Sequence, residues 1–154
     1  MNFSSDQIIT LLAKRGALFV IDDGEFVNGS RGTHTYVVCN SDDRGKMVIL
    51  TVATSQLDKA TKRIELRGFA YETLVDFSAN DYRHFKQPTA IDCNEAWPTN
   101  MSTLARLHAE GKLRAVTNSR ITPAHMARIE AGILMSTRVV PEIKAIVRTA
   151  EHPA

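Results

Sequence analysis

Short apolar runs recur through the first two thirds of the chain, with turn residues between them in place of long helical patterns. These runs, each typical of a strand, cover residues 17–21, 35–39, 47–52, 63–66, 73–77 and 89–93. Successive strands of a parallel sheet need a crossover of a dozen or more residues between them, usually a helix. The spacing therefore favours a small antiparallel barrel or curled sheet.

Helical spacing of apolar residues marks the two ends of the chain. Ser4 can cap an N-terminal helix that carries Ile8, Leu11 and Leu12 and stops at Gly16. Further helices are predicted from residue 101, after Thr122-Pro123 and from Pro141. We expect a single α+β domain over 1–154, mainly β with C-terminal helices. Its parts are an N-terminal helix at 5–15, a β-barrel core at 17–97 and a helical C-terminal part at 101–150.

Composition narrows the class of protein. Hydrophobic residues make up 44% and charged residues 23% of the chain, which suits a globular domain with a buried core. No apolar run approaches the ~20 residues that span a bilayer, and the first residues do not read as a secretory signal. We therefore expect a cytoplasmic protein with no membrane partner. Two cysteines are too few for a disulfide framework, and Cys39 should be a buried free thiol.

The net charge of +2 is small, but the cations are unevenly distributed. Four lie together in the middle of the chain, and the last third holds many more with few acids; the four are Lys59, Lys62, Arg63 and Arg67. Clustered cations suit a polyanion, whose phosphates supply most of the non-specific binding energy. The alternative is an ordinary solvated surface.

Two polar segments should meet at one end of the sheet. The sequence GSRGTHT, residues 29–35, leads into the second strand, and ATSQ, residues 53–56, ends the third. In an antiparallel hairpin the start of one strand lies beside the end of the next. The predicted cluster comprises Arg31, His34, Thr54, Ser55 and Lys59. A guanidinium, an imidazole and hydroxyls suit phosphodiester chemistry.

Each of these residues also has a structural interpretation. His34 could fill the end of a strand, and Thr54 and Ser55 could terminate one by bonding the local backbone. The five histidines are scattered, and no established metal-binding or nucleophile motif is present. We therefore expect no metal and no cofactor.

The order of these motifs resembles the MazF/PemK family of toxin endoribonucleases. The resemblance is carried by GSRGTHTYVVCN, by MVILTVATSQ, by AIDCNEAW and by the closing helix ITPAHMARIEAGIL. It covers roughly residues 17 to 97 and the helix from 122 to 135. The arginine that the family carries before its apolar strand falls on His34 here, and the family proline falls on Thr35. The first helix and residues 98–120 are additions to the family pattern.

The resemblance implies an SH3-like barrel, a homodimer, and metal-independent cleavage of single-stranded RNA that an antitoxin protein blocks. His34 would act as general acid or base for attack by a ribose 2′-hydroxyl, Arg31 would stabilise charge on phosphorus, and Thr54 would orient the phosphate. Further RNA contacts would come from Ser55, Gln56, Lys59, Lys62 and Arg63. The alternatives are a non-catalytic nucleic-acid-binding module and a protein-interaction module on the same barrel.

Overall fold

A computed structural model of the chain describes residues 3–22, 33–41 and 47–149. The strands of these ranges are β1 (Leu18–Asp22), β2 (Thr33–Val38), β3 (Met47–Thr54), β4 (Leu74–Phe77), β5 (Thr89–Asp92), β6 (Trp97–Asn100) and β7 (Leu113–Val116). The helices are α1 (Ser5–Leu12), α2 (Leu57–Arg67), α3 (Met101–Ala109), α4 (Pro123–Met135) and α5 (Pro141–Thr149). The protein is therefore α+β, as the sequence predicts, but the described residues form a mixed arrangement of five helices and seven strands and not a mainly β one.

The strands form one mostly antiparallel sheet in the order β4-β5-β3-β2-β1-β7, and β6 pairs with the first half of β3. The predicted pairing of β2 with β3 is confirmed by the partners Tyr36–Val52 and Val38–Leu50. The sequence predicts a small antiparallel barrel or a curled sheet, and the barrel is not confirmed, because within the described ranges β4 and β7 end the sheet without pairing to each other. The sheet is open.

Two elements differ from the sequence-based expectation. Residues 63–66 were expected to form an edge strand, but they lie in α2, whose buried face carries Ala60 and Ile64 at helical spacing. Gly68 ends this helix at φ +69°, a conformation that favours glycine. The C-terminal part is not wholly helical either, because β7 lies between α3 and α4 and pairs with β1.

The helix starts follow their sequence signals. Ser4 caps α1 in a capping box with Gln7, and Thr122 caps α4 with Pro123 in its first turn. Helix α1 ends at Leu12, three residues before the predicted end of the helix at residue 15. Residues 40–45, whose composition predicts the hairpin loop between β2 and β3, fall largely outside the described residues.

Alternate residues of each central strand supply two cores on opposite faces of the sheet. In β1, Leu18 belongs to the core that α4 and α5 complete, whereas Phe19 belongs to the core that α1 and α3 complete. The first core also contains Cys39, which is buried as predicted. Within the described part of the chain, no helix is both long and apolar enough to cross a membrane.

Candidate functional site

A groove opens where β2 and β3 separate. Their ladder ends at the pair Tyr36–Val52, although β2 continues back to Thr33 and β3 continues to Thr54. Beyond that pair, β3 is paired only on its other edge, with β5, among the described residues. The groove has a volume of about 560 Å³, and its walls are residues 33–35 of β2, residues 53–56 at the end of β3, and residues 84–87 and 89.

His34 and Thr54 lie at equivalent positions on the two separating strands. Each is two residues beyond the pair Tyr36–Val52, so both side chains continue the same face of the sheet. The structure thus brings together His34, Thr54, Ser55 and Gln56, four of the residues that the sequence placed in one site.

The His34 ring is only partly exposed. Its Nδ1 atom is buried and has no hydrogen-bond partner among the described residues. The ring meets Tyr36 edge-on, with the ring centroids 6.5 Å apart. A histidine that only fills the end of a strand should have a hydrogen-bond partner for a buried ring nitrogen. Nδ1 of His34 has none among the described residues, so this structural interpretation does not account for the ring.

Thr54 ends its strand by bonding the local backbone, which was the structural alternative for this residue. The backbone N–H of Gln56 donates to Thr54 Oγ1 at 3.1 Å, which ends the strand locally. A hydroxyl group has one proton to donate and two lone pairs. Thr54 can therefore hold this turn and still donate to a phosphate oxygen in the groove.

The far wall of the groove comes from the segment between β4 and β5, which sequence reasoning did not include. Tyr82 and Phe85 are buried and pack on Phe77, with ring centroids 5.2 and 5.9 Å from it. Between and after these anchors, His84 and Lys86 line the groove. The segment is also fixed by long-range contacts, from Tyr82 to His125 and from His84 to Thr35, so no local pattern marks His84 as part of the site.

His84 has the electrostatic environment of a proton acceptor. Its Nε2 atom lies 2.9 Å from Thr35 Oγ1, which joins the segment to β2. Partial burial lowers the pKa of His84 below its ordinary value, and the nearby charges of Arg114 and Lys86 lower it further. The ring is therefore mostly neutral at pH 7.

The predicted RNA-binding cations fall in different places. Lys59 lines a second depression, of about 440 Å³, which shares Ser55, Gln56 and Gln87 with the groove. Lys62 is exposed on α2. Arg63 is bound instead to the buried carboxylate of Asp92, with Nη2–Oδ2 at 3.1 Å. Arg31 lies outside the described residues.

The chemistry available in the groove is that of imidazoles, hydroxyls, amides and an ammonium group. Over residues 3–22, 33–41 and 47–149, no group of three or more His, Cys, Asp and Glu side chains converges as metal ligands do. Such a groove can bind a phosphate and move protons around it. No protein-family model matches the chain, and neither does any of the curated proteins with which it was compared.

Proposed function

We propose that the protein is a metal-independent endoribonuclease, of the MazF/PemK toxin type, that cuts single-stranded RNA in the groove between β2 and β3. One observation carries this proposal: two imidazoles, His34 and His84, line the same groove as the hydroxyl of Thr54 and the ammonium group of Lys86. Cleavage by an internal nucleophile needs a base, an acid and a phosphate-binding group. These side chains can supply all three.

In the proposed reaction the ribose 2′-oxygen forms a bond to the adjacent phosphorus, and the bond from phosphorus to the 5′-oxygen of the next nucleotide breaks. His84 accepts the 2′-proton, because its lowered pKa keeps the ring neutral near pH 7. The Thr35 hydroxyl occupies Nε2 at 2.9 Å and orients the ring, so the other ring nitrogen, Nδ1, takes the 2′-proton in this proposal. The products are a 2′,3′-cyclic phosphate and a 5′-hydroxyl.

His34, in its protonated form, gives a proton to the leaving 5′-oxygen. Thr54, Ser55 and Gln56 donate hydrogen bonds to the non-bridging phosphate oxygens. Lys86 stabilises the charge that develops on these oxygens, and Arg31, three residues before His34 in the sequence, is the second cation of this proposal.

The family resemblance adds three further parts to the proposal: an SH3-like strand arrangement, a homodimer, and an antitoxin protein whose segment covers the groove.

A specific observation also favours a second function, binding of nucleic acid without cleavage. The family arginine is replaced by His34, while Lys59, Lys86 and the donors of the groove remain available for phosphates.

The test is incubation of the purified protein with a mixed single-stranded RNA in EDTA, followed by mapping of the RNA ends. We expect discrete cuts that carry cyclic phosphate. The variants His34→Ala and His84→Ala should each lose roughly 10²–10⁴-fold in rate, the usual contribution of general acid–base catalysis. A control is His108→Ala, because His108 bonds Ser5 of α1 and does not line the groove.

Undiminished cleavage by both groove variants would contradict the mechanism. If the folded protein retains RNA without cutting it, and the retention weakens steeply with salt, the second function holds instead.

A further inference from the structure

The groove continues past His84 into a cationic depression. This depression has a volume of about 360 Å³ and shares His84 and Lys86 with the groove. Its other charged side chains are Arg83 and Arg114, and Thr117 and Asn118 add polar groups. A chain-like ligand that fills the groove can therefore extend into the depression without leaving the surface.

The sheet fixes the distance between the two compartments. Thr35, Val20 and Arg114 are register partners on the three adjacent strands β2, β1 and β7. Their side chains therefore share one face of the sheet, and the outer two are separated by two strand spacings, about 10 Å. His84 is held on Thr35, so Arg114 extends the site on the side of His84 that is away from Thr54.

Among the described residues, no carboxylate neutralises the cations of the depression. Arg83, Lys86 and Arg114 form no ion pair with an acidic side chain among the described residues, and no Asp or Glu is among the residues that line the depression. Three like charges around one concavity repel each other unless an anion joins them. The arrangement therefore fits a phosphate group, which arginine can bind with two parallel hydrogen bonds.

We propose that this depression is a second phosphate subsite, which holds the phosphate on the 5′ side of the ribose whose 2′-hydroxyl is attacked. The direction rests on the proposed function. If His84 accepts the 2′-proton and His34 serves the leaving 5′-oxygen, the attacked ribose lies nearer His84. The phosphate that precedes this ribose then falls toward Arg114, and the chain that follows the cut runs toward Lys59.

The experiment compares three RNA dinucleotides: unmodified, with an added 5′-phosphate, and with an added 3′-phosphate. We expect kcat/KM to be about tenfold higher with the 5′-phosphate, the size of one charge-assisted hydrogen-bonding contact. The 3′-phosphate adds the same charge at the other end and should not give this gain. Arg114→Gln and Arg83→Gln should each reduce the gain severalfold.

The measured quantity is the ratio of kcat/KM for the 5′-phosphorylated dinucleotide to kcat/KM for the unmodified one. A change at Arg114 also alters the pKa of His84, but this affects the cleavage of both substrates equally and leaves the ratio unchanged. Arg67→Gln is the matched control. It removes the same charge at the end of α2 away from the groove, about 15 Å along the helix from Leu57. This variant should keep the full gain.

Binding of the corresponding 2′-deoxy dinucleotides, which cannot be cut, separates the two proposals. Cleavage without a 5′-phosphate gain, or with the gain on the 3′-phosphate, overturns the subsite and leaves the nuclease. Tighter binding of the 5′-phosphorylated deoxydinucleotide that Arg114→Gln abolishes, with no RNA cleavage, supports the subsite and overturns the nuclease. Neither cleavage nor phosphate-dependent binding overturns both.

Discussion

Nε2 of His84 and Oγ1 of Thr35 lie 2.9 Å apart, although 49 residues separate them in the sequence. This contact joins the segment between β4 and β5 to β2 at the place where β2 has left β3. It converts a gap in the sheet into a groove with two walls. It also brings a second imidazole to the groove that His34 lines.

The titration of His84 should be displaced toward acid. The charges that act on the ring are those of Arg114 and Lys86, while Arg83 lines the depression and His34 lines the groove that the ring also lines. Burial and the two nearer cations disfavour the protonated ring, so its pKa should lie below 6.5 in an NMR titration of the ring protons. Arg114→Gln removes a cation and should raise this pKa, and the acidic limb of any RNA cleavage should move to higher pH with it.

Arg67→Gln is the control for that titration and should leave the His84 pKa unchanged. A His84 pKa at or above the ordinary value, or one that does not respond to Arg114→Gln, would contradict the electrostatic account of this site.

Arg63 should contribute more to the stability of the fold than to the binding of RNA. Both Nε and Nη2 lie 3.1 Å from Oδ2 of Asp92, whose side chain is only 2% exposed. Arg63→Gln leaves that carboxylate without its cation and should lower the free energy of unfolding by about 2 kcal/mol. This is less than the ~3–5 kcal/mol for a fully buried pair, because Arg63 is partly solvated. Urea denaturation measures it.

Lys62→Gln is the matched control for Arg63, since Lys62 is the preceding residue of α2 and is exposed. Equal losses of stability in the two variants would show that the contact with Asp92 has no special weight.

Position 132 of α4 has no room for a side chain, because Cys93 packs directly against Gly132. A Cβ atom at this position would lie 2.7 Å from Sγ of Cys93, closer than real side chains pack. Glycine to alanine in a helix normally stabilises by up to about 1 kcal/mol. Here Gly132→Ala should instead destabilise by roughly 1–3 kcal/mol, as overpacked cores do.

The double variant Gly132→Ala with Cys93→Ala removes the colliding sulfur and should recover part of that loss, which a double-mutant cycle by thermal denaturation detects. A Gly132→Ala protein more stable than the parent would refute the close contact.

Both cysteines should be unreactive in the folded protein. Burial raises the pKa of Cys39 to about 11 and raises that of Cys93 well above its ordinary value, so neither forms much thiolate at pH 8. A thiol-specific chromogenic reagent should therefore detect almost no thiol before unfolding and two thiols after it. Rapid labelling of the native protein at pH 8 would contradict this.

The sequence was informative wherever local patterns and antiparallel pairing decide the structure. The hairpin of β2 and β3 follows from two apolar runs around a turn, and its register alone brings His34 to the end of the sheet that carries Thr54. The N-cap of α4 was readable for the same reason, because Thr122 and Pro123 act within one turn of helix.

The elements that were missed depend on distant partners. Strand β7 has four residues and exists because β1, about a hundred positions earlier, offers it an edge. Residues 63–66 alternate weakly, but the burial of Ala60 and Ile64 selects a helix. His84 reaches the groove because its ring bonds Thr35 of β2, and because Tyr82 beside it bonds His125 of α4.

The hydrogen bonds of Tyr82 couple the far wall of the groove to α4, so that stabilising one also stabilises the other. The Tyr82 hydroxyl bonds Nδ1 of His125 at 2.5 Å and Oγ1 of Thr122 at 3.2 Å, so the wall that carries His84 is attached to the first turn of α4. A ligand that binds His84 therefore also holds the beginning of that helix. Amide hydrogens of α4 should exchange more slowly when the groove is filled, although α4 contributes no side chain to its lining.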